Sequence, residues 1–279
     1  MIVSVASGKG GTGKTSVACA LAQSAGRGVC LLDCDVDEPN AAILLHPTIR
    51  ESVPAAILLP VVDDAKCDGC GACAKVCEYH ALTVLGDRPV LFEHLCHSCG
   101  GCALACPKGA IREEPKAIGK VHVGDAGGVA FVSGELDVGE VMCPPVIRQV
   151  KARAPRGMDL IIDCPPGTAC PMVASVEGSD YCVLVTEPTP FGLHDLTLAV
   201  DVVRKLGMPF GVVLNLADIG DDEVDAFCAR EGIPILARIP FDRALAEAYS
   251  RGKTFVEAKP EFRTLFAGIL YGIRCQGAA

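Results

Sequence analysis

The chain has 279 residues, 50% of them hydrophobic, and its 34 acidic against 25 basic residues leave a net charge of −9. That length holds one large α/β domain plus a small insert around a sizeable core, while the acidic balance argues against the general affinity for nucleic acid or anionic lipid that a basic surface confers. With 17 cysteines and no secretory segment, the expected setting is the reducing cytoplasm, where thiols stay unoxidised.

In chain order, Met1-Ile2-Val3-Ser4-Val5-Ala6 is apolar but short and runs directly into glycine, which reads as a buried strand and not as a signal-peptide core. Next comes Gly8-Lys9-Gly10-Gly11-Thr12-Gly13-Lys14-Thr15, a complete G-x-x-x-x-G-K-[ST] loop, followed by a predicted helix over 16–25. Gly8, Gly10, Gly11, Thr12, Gly13, Lys14, Thr15 and Ser16 are therefore the candidate cradle for ATP and Mg2+. Glycines let backbone N–H groups turn toward the phosphates and the helix N-terminus adds its dipole; Lys14 reaches the β- and γ-phosphates and the Thr15 hydroxyl ligates the metal. A second apolar run over 29–32 ends in Asp33-Cys34-Asp35-Val36-Asp37.

A proline-marked stretch, Val53-Pro54 to Leu59-Pro60, opens an insert that closes near Arg112-Glu113-Glu114-Pro115, so the expected division is 1–60 with 116–279 around an inserted domain at 61–115. The insert carries Cys67, Cys70, Cys73 and Cys77, then Cys96, Cys99, Cys102 and Cys106, each run spaced C-x2-C-x2-C-x3-C. That is the bacterial ferredoxin pattern for two 4Fe-4S clusters, in which three thiolates of one run and the fourth of the other hold each cubane. The predicted sets are Cys67, Cys70, Cys73 with Cys106, and Cys96, Cys99, Cys102 with Cys77. Disulfides would need an oxidising compartment, and zinc is normally content with four ligands at two-by-two spacing. Pro107 follows the second run as the pattern requires, whereas Glu78-Tyr79 follows the first. So small a domain gains its stability from the clusters more than from burial. His80, His94 and His97 border the runs, as surface histidines or as groups that tune the clusters.

Further apolar runs at 159–162, 181–185, 210–214 and 235–239 alternate with helical segments, as in a parallel sheet covered on both faces. Ligands of such sheets gather at the carboxyl ends of the strands, where these motifs fall. The final segment, 261–275, spaces Phe262, Leu265, Phe266, Ile269, Leu270 and Ile273 as a core-packing helix. With only Arg263 and Arg274 as basic residues it lacks the cationic face of a membrane anchor, so none is expected. Cys19, Cys30 and Cys182 fall in apolar patterns, and Cys34 and Cys164 follow aspartates at strand ends; all five read as small packing residues.

The loop Gly8-Lys9-Gly10-Gly11-Thr12-Gly13-Lys14-Thr15 resembles the deviant Walker A of the MinD/ParA/Mrp ATPases. The likeness continues through Leu31 to Asp37, through Leu160-Ile161-Ile162-Asp163-Cys164-Pro165-Pro166-Gly167, through Thr186 to Leu193, through Val212-Val213-Leu214-Asn215 and through Ile239-Pro240-Phe241-Asp242. It is nearest to the MinD/Mrp-type ATPases that carry an inserted ferredoxin domain. The resemblance implies an α/β P-loop NTPase with a mainly parallel sheet between helices, plus a small α+β ferredoxin insert. It implies that Lys9 reaches the partner's nucleotide across a homodimer, or a heterodimer with a related ATPase. Asp35 would position the attacking water, Asp33 and Asp163 would support magnesium, Gly167 would lie near the γ-phosphate and Asn215 would face adenine. Lys9, Lys14 and Asp35 are then the candidate catalytic residues. Cys143 and Cys170 sit at positions similar to those through which nitrogenase iron protein subunits share a bridging cluster, with interface thiols as the blander reading. The C-x-x-C pair that Mrp-type cluster carriers have after the adenine-facing strand is absent here, where Cys228 stands alone. The leading expectation is an ATPase whose nucleotide-dependent dimerisation gates electron flow through the clusters to a redox partner. The alternatives are an iron–sulfur scaffold or carrier, and a MinD-like positioning ATPase whose ferredoxin senses redox state or docks a partner.

Overall fold

Four apolar residues and the buried Ser4 make β1 (Ile2–Ala6), and the glycine loop delivers the chain into α1 (Lys14–Ser24) with Gly13 as its left-handed N-cap. The computed structural model describes residues 1–277. There follow β2 (Val29–Asp33), α2 (Ala41–Leu45), β3 (Thr48–Val62), α3 (Ala72–Val76), β4 (Leu82–Leu85), β5 (Arg88–Leu91) and α4 (Gly101–Ala105). The middle of the chain forms β6 (Ile111–Ala126), β7 (Val129–Leu136), α5 (Cys143–Ala152), β8 (Asp159–Asp163), α6 (Cys170–Val176) and β9 (Tyr181–Thr186). It closes with α7 (Pro190–Lys205), β10 (Phe210–Asn215), α8 (Glu223–Glu231), β11 (Ile235–Ile239), α9 (Arg243–Tyr249), α10 (Phe255–Ala258) and α11 (Glu261–Gly277).

Nine strands make one sheet in the order β11-β10-β9-β1-β8-β2-β7-β6-β3. Every pairing from β11 across to β7 is parallel. Val3, Val5, Leu31, Ile161 and Val183 pack with α1, α10 and α11 in one core. Their strand neighbours Leu32, Ile162, Leu184 and Val212 are equally buried and point to the opposite face. Both faces are therefore covered, which is why these strands read as continuous apolar runs and not as alternating ones. In α11, Phe266, Ile269, Leu270 and Ile273 are buried as the spacing predicts, and the rings of Phe255, Phe262 and Phe266 pack mutually.

Three strands go beyond the sequence reading. The prolines at 54 and 60, expected to mark a boundary, lie inside β3. Proline cannot donate to a ladder, and β3 sits at the end of the strand order, where a missing N–H is tolerated. β6 and β7 occupy a stretch in which charged and small residues interrupt the apolar pattern. In addition, α1 begins at Lys14 instead of residue 16.

The chain divides into two compact units, one of Met1–Val53, Val121–Glu135 and Ile147–Ala279, the other of Pro54–Lys120 and Leu136–Val146. The second holds the antiparallel β4–β5 hairpin and the short helices α3 and α4. Its two cysteine runs fold alike: each opens through a left-handed residue, Gly69 (φ 69°) or Ser98 (φ 53°), and enters its helix from a left-handed glycine, Gly71 or Gly100. Among the described residues no helix is long and apolar enough to cross a membrane.

Candidate functional site

Parallel pairing of β8 with β1 and β2 aligns their carboxyl ends in the middle of the sheet, so three aspartates and the glycine loop meet there. Asp33 and Asp163 are register partners on β2 and β8. Lys14, the first residue of α1, is buried among them: its Nζ donates to Asp163 Oδ1 at 2.7 Å and lies 3.5 Å from both Asp35 Oδ2 and Thr15 Oγ1. Asp33 is fully buried and accepts from the backbone N–H groups of Asp35 (3.2 Å) and Ala41 (3.0 Å), which fixes the turn between β2 and α2.

Three carboxylates facing one ammonium leave surplus negative charge in a dry place. Burial, with the nearby Asp163 charge, pushes the Asp33 carboxyl up to about 8, and burial pushes Asp35 up to about 6 although Lys14 draws it back. Burial alone would lower the Lys14 pKa; Asp163 and Asp35 override it and hold that pKa above the ordinary lysine value. The site therefore has the charge balance of one that takes a divalent cation. Three buried oxygens, Thr12 Oγ1, Asn40 Oδ1 and Asp163 Oδ2, lack a hydrogen-bond partner. Buried polar atoms of this kind are costly unless something satisfies them, and a magnesium-bound nucleotide has the chemistry to do so.

The remaining loop residues are tightly defined. Asn215, at the end of β10, donates from Nδ2 to Thr12 O at 2.9 Å. A Cβ on Gly13, already left-handed at φ 88°, would fall 2.6 Å from that same nitrogen. Gly8 leaves no room either, since a Cβ there would come within 2.1 Å of the Asp195 carbonyl oxygen in α7. Gly167 (φ 91°) donates its N–H to Ser7 O at 3.0 Å and so ties the segment after β8 to the loop. The cleft is lined by Gly10, Gly11, Thr15 and Ser16 of the loop and continues past Asn215 to an apolar end at Pro240, Phe241, Tyr249 and Phe255. Phe241 enters the sequence pattern only within the segment 239–242, and no pattern singled out Tyr249, Phe255 or Asn40.

In the second unit the eight spaced cysteines line two separate hollows. Cys67, Cys70, Cys73 and Cys106 line one, and Cys77, Cys96, Cys99 and Cys102 line the other. Each set combines three residues of one run with the fourth of the other. Ala81 and Ala110 donate backbone N–H bonds to Cys77 Sγ and Cys106 Sγ, both at 3.3 Å. No group of three or more His, Cys, Asp or Glu among the described residues is gathered closely enough for a single metal ion. Each hollow offers four cysteines, the donor set that a 4Fe-4S cluster takes.

The model of the CobQ/CobB/MinD/ParA nucleotide-binding domain family matches residues 3–255. The chain belongs to this family. An uncharacterized protein of Methanocaldococcus jannaschii is 30% identical over 92% of this chain and 92% of its own length, and a second from the same organism is 34% identical over 77% and 78%. An iron-sulfur cluster carrier protein of Aquifex aeolicus is 29% identical over 37% of this chain and 32% of its own. Among solved structures, the septum site-determining protein MinD from Pyrococcus horikoshii, complexed with Mg-ADP, superposes with a TM-score of 0.57 at 21% identity, covering 98% of this chain and 95% of that one. At that identity the likeness is one of fold: an α/β P-loop NTPase with a mostly parallel sheet between helices.

In this CobQ/CobB/MinD/ParA member Lys9 does not point into empty solvent. Its Nζ pairs with Glu187 Oε2 of the same chain at 3.3 Å, a partner that sequence spacing did not indicate. Cys19, Cys30, Cys34, Cys164, Cys182 and Cys228 are buried, and burial pushes the thiols of Cys30 and Cys182 up to about 12 and that of Cys228 to about 11, as inert packing residues require. Cys170 opens α6 and is exposed, while Cys143 opens α5 and is half-buried. His80, His94 and His97 are exposed, and His97 stacks on Tyr79.

Proposed function

We propose that this protein is a magnesium-dependent ATPase with two 4Fe-4S clusters in an inserted ferredoxin unit, and that nucleotide-dependent dimerisation is coupled to electron transfer through those clusters. The observation that carries the reading is the sorting of eight cysteines into two mixed quartets within a chain of the nucleotide-binding ATPase family.

In the mechanism that follows, Lys14 exchanges its bond to Asp163 for the β- and γ-phosphates. That exchange would release Asp163, which with Asp33 and Thr15 would hold a magnesium ion, and would release Asp35 to orient the attacking water. Magnesium supplies neutralisation of the charge on the phosphates when bound. Loop N–H groups of Gly10, Gly11 and Gly13 cradle the phosphates, Gly167 senses the γ-phosphate, and Asn215 with the apolar end of the cleft receives the base. Lys9, released from Glu187, reaches the partner's nucleotide across the dimer. Cys67, Cys70, Cys73 and Cys106, and Cys77, Cys96, Cys99 and Cys102, would hold the two clusters, which would supply one-electron transfer to a redox partner.

The test is anaerobic purification with iron and sulfide counts, an ATPase assay, and EPR of the reduced protein with and without Mg-ATP. Two clusters per chain whose signal responds to Mg-ATP support the reading; iron-free protein, or a signal indifferent to nucleotide, overturns it. A second reading, an iron–sulfur carrier, draws on the partial similarity to the Aquifex aeolicus carrier. It predicts that clusters leave for an apo-acceptor during turnover, whereas the electron-transfer reading predicts that iron stays bound.

A further inference from the structure

Lys9 and Glu187 sit on segments of backbone that are packed hard against one another. A Cβ on Gly8 would fall 2.1 Å from the Asp195 carbonyl oxygen in α7, and one on Gly192, in the first turn of α7, would fall 2.2 Å from the Glu187 carbonyl oxygen. The Ser7 hydroxyl donates to Lys9 O at 2.8 Å, and Glu187 O accepts from the Thr189 N–H at 2.9 Å. The phosphate loop, the end of β9 and the start of α7 therefore form one block. A rearrangement of the Lys9–Glu187 pair is a matter of side chains and not of backbone.

The two side chains differ in their surroundings. Glu187 lines the nucleotide cleft together with Ser7, Gly10 and Gly11, and is only 16% exposed. The same cleft carries the carboxylates of Asp35, Glu38 and Asp242 against the ammonium of Lys14. Lys9 is the more exposed member at 31%, and its Nζ lies 3.3 Å from Glu187 Oε2. In the single chain, Lys9 thus supplies the counter-charge to a carboxylate in the wall of an acidic cleft.

We infer that Glu187 decides which nucleotide permits two copies to associate, by competing with the partner's phosphates for Lys9. This rests on the Lys9-mediated dimerisation proposed above. Association through Lys9 breaks the pair in each copy and replaces it with a contact to the other copy's nucleotide. It also leaves the Glu187 carboxylate without its counter-charge beside an anionic ligand, which raises the cost of the exchange. A triphosphate carries more charge and extends one phosphate further than a diphosphate, so it draws Lys9 from the carboxylate where a diphosphate does not. Discrimination of this kind comes from the competitor as much as from the attractive contact. With the competitor removed, either nucleotide suffices.

The experiment is sedimentation equilibrium of the full-length protein, purified anaerobically, without nucleotide, with Mg-ADP, and with magnesium and a non-hydrolysable ATP analogue. Wild type should associate with the analogue and not with Mg-ADP. Glu187→Gln should associate with Mg-ADP as well, its dimer tighter by on the order of tenfold, because two partly exposed pairs no longer have to be broken. Glu187→Asp, which keeps the charge and shortens the reach, should move the same way by less, and it carries the test if the Gln variant fails to fold. On a Lys9→Ala background, Glu187→Gln should change nothing, because no ammonium remains to compete for. Equal association of wild type with Mg-ADP and the analogue overturns the inference while leaving dimerisation intact. So does an unchanged or weaker association of folded Glu187→Gln with Mg-ADP, or association of the double variant. Wild type that stays monomeric with the ATP analogue removes the dimer reading, and the inference with it.

Discussion

Lys14 is held by the groups it must leave. Its bonds to Asp163 and Asp35 engage the ammonium that the proposed mechanism turns toward the phosphates, so the cradle is not an open basic site. Lys14→Ala should abolish nucleotide binding in a fluorescent-nucleotide titration and leave three carboxylates uncompensated. Asp35→Ala keeps the phosphate cradle, so it should bind Mg-ATP and hydrolyse it roughly 10²-fold or more slowly in a phosphate-release assay. An unchanged rate would remove Asp35 from the chemistry. The same carboxylates set a pH dependence. Asp33, raised to about 8, and Asp35, raised to about 6, keep protons in the folded chain that the unfolded chain loses near the ordinary carboxylate value. The folded state then binds more protons, so unfolding free energy should fall as pH rises from about 4 to about 8. Lys14, raised rather than lowered, loses its contribution only above the ordinary lysine range, outside that window. Urea titrations of the nucleotide-free protein across this range should show the slope, and Asp33→Asn should flatten it.

At the scale of elements, α1 carries the site because it is clamped from several directions. Its residues Val17, Ala18, Cys19, Ala20, Leu21 and Ala22 are all fully buried, and α11 packs against it through Phe266. Phe266→Ala should cost about 3–5 kcal/mol in urea unfolding, the usual toll of an emptied aromatic site. Nucleotide affinity of the surviving folded fraction should stay the same, because Phe266 lies outside the cleft. The loop is less forgiving than the helix. Gly8→Ala drives a methyl into the Asp195 carbonyl, a backbone atom that cannot swing aside, and should lose nucleotide binding without unfolding the sheet. In the cysteine runs, Gly69→Ala meets the Asp87 carbonyl at 2.6 Å as well as an unfavourable φ, whereas Ser98→Gly only relaxes a left-handed serine. Iron content should drop in the first variant and hold in the second.

At the scale of the whole molecule, cluster ligands and phosphate cradle belong to different compact units. Cys70→Ala should therefore lose one of the two proposed clusters, read as iron and sulfide, while Mg-ATP binding stays near wild type; full iron retention would overturn the ligand assignment. Dimerisation is proposed to pass through Lys9, now paired with Glu187. Lys9→Ala should bind nucleotide yet fail to associate with Mg-ATP in analytical ultracentrifugation. Cys143 and Cys170 are proposed to share an additional cluster between subunits. Iron beyond the about eight atoms of two cubanes, removed by Cys170→Ser, is the signature that reading requires.

Much of this was legible in the residues alone because it is local. Six strands of the sheet are short continuous apolar runs, the phosphate loop is contiguous from Gly8 to Thr15, and the cysteine spacing already implied crossed sets of four. Tertiary structure decided the rest, since it depends on residues far apart in the chain. The proline-bearing β3 lies at the end of the strand order, where a missing N–H is tolerated, and β6 and β7 carry apolar residues interrupted by charged and small ones. No spacing rule connects Lys9 to Glu187, Asn215 to Thr12, or Lys14 to Asp163 across 149 positions. An ion pair beside one quartet and stacked rings beside the other likewise emerged only when the fold brought Lys108 to Asp68 and Tyr79 to His97.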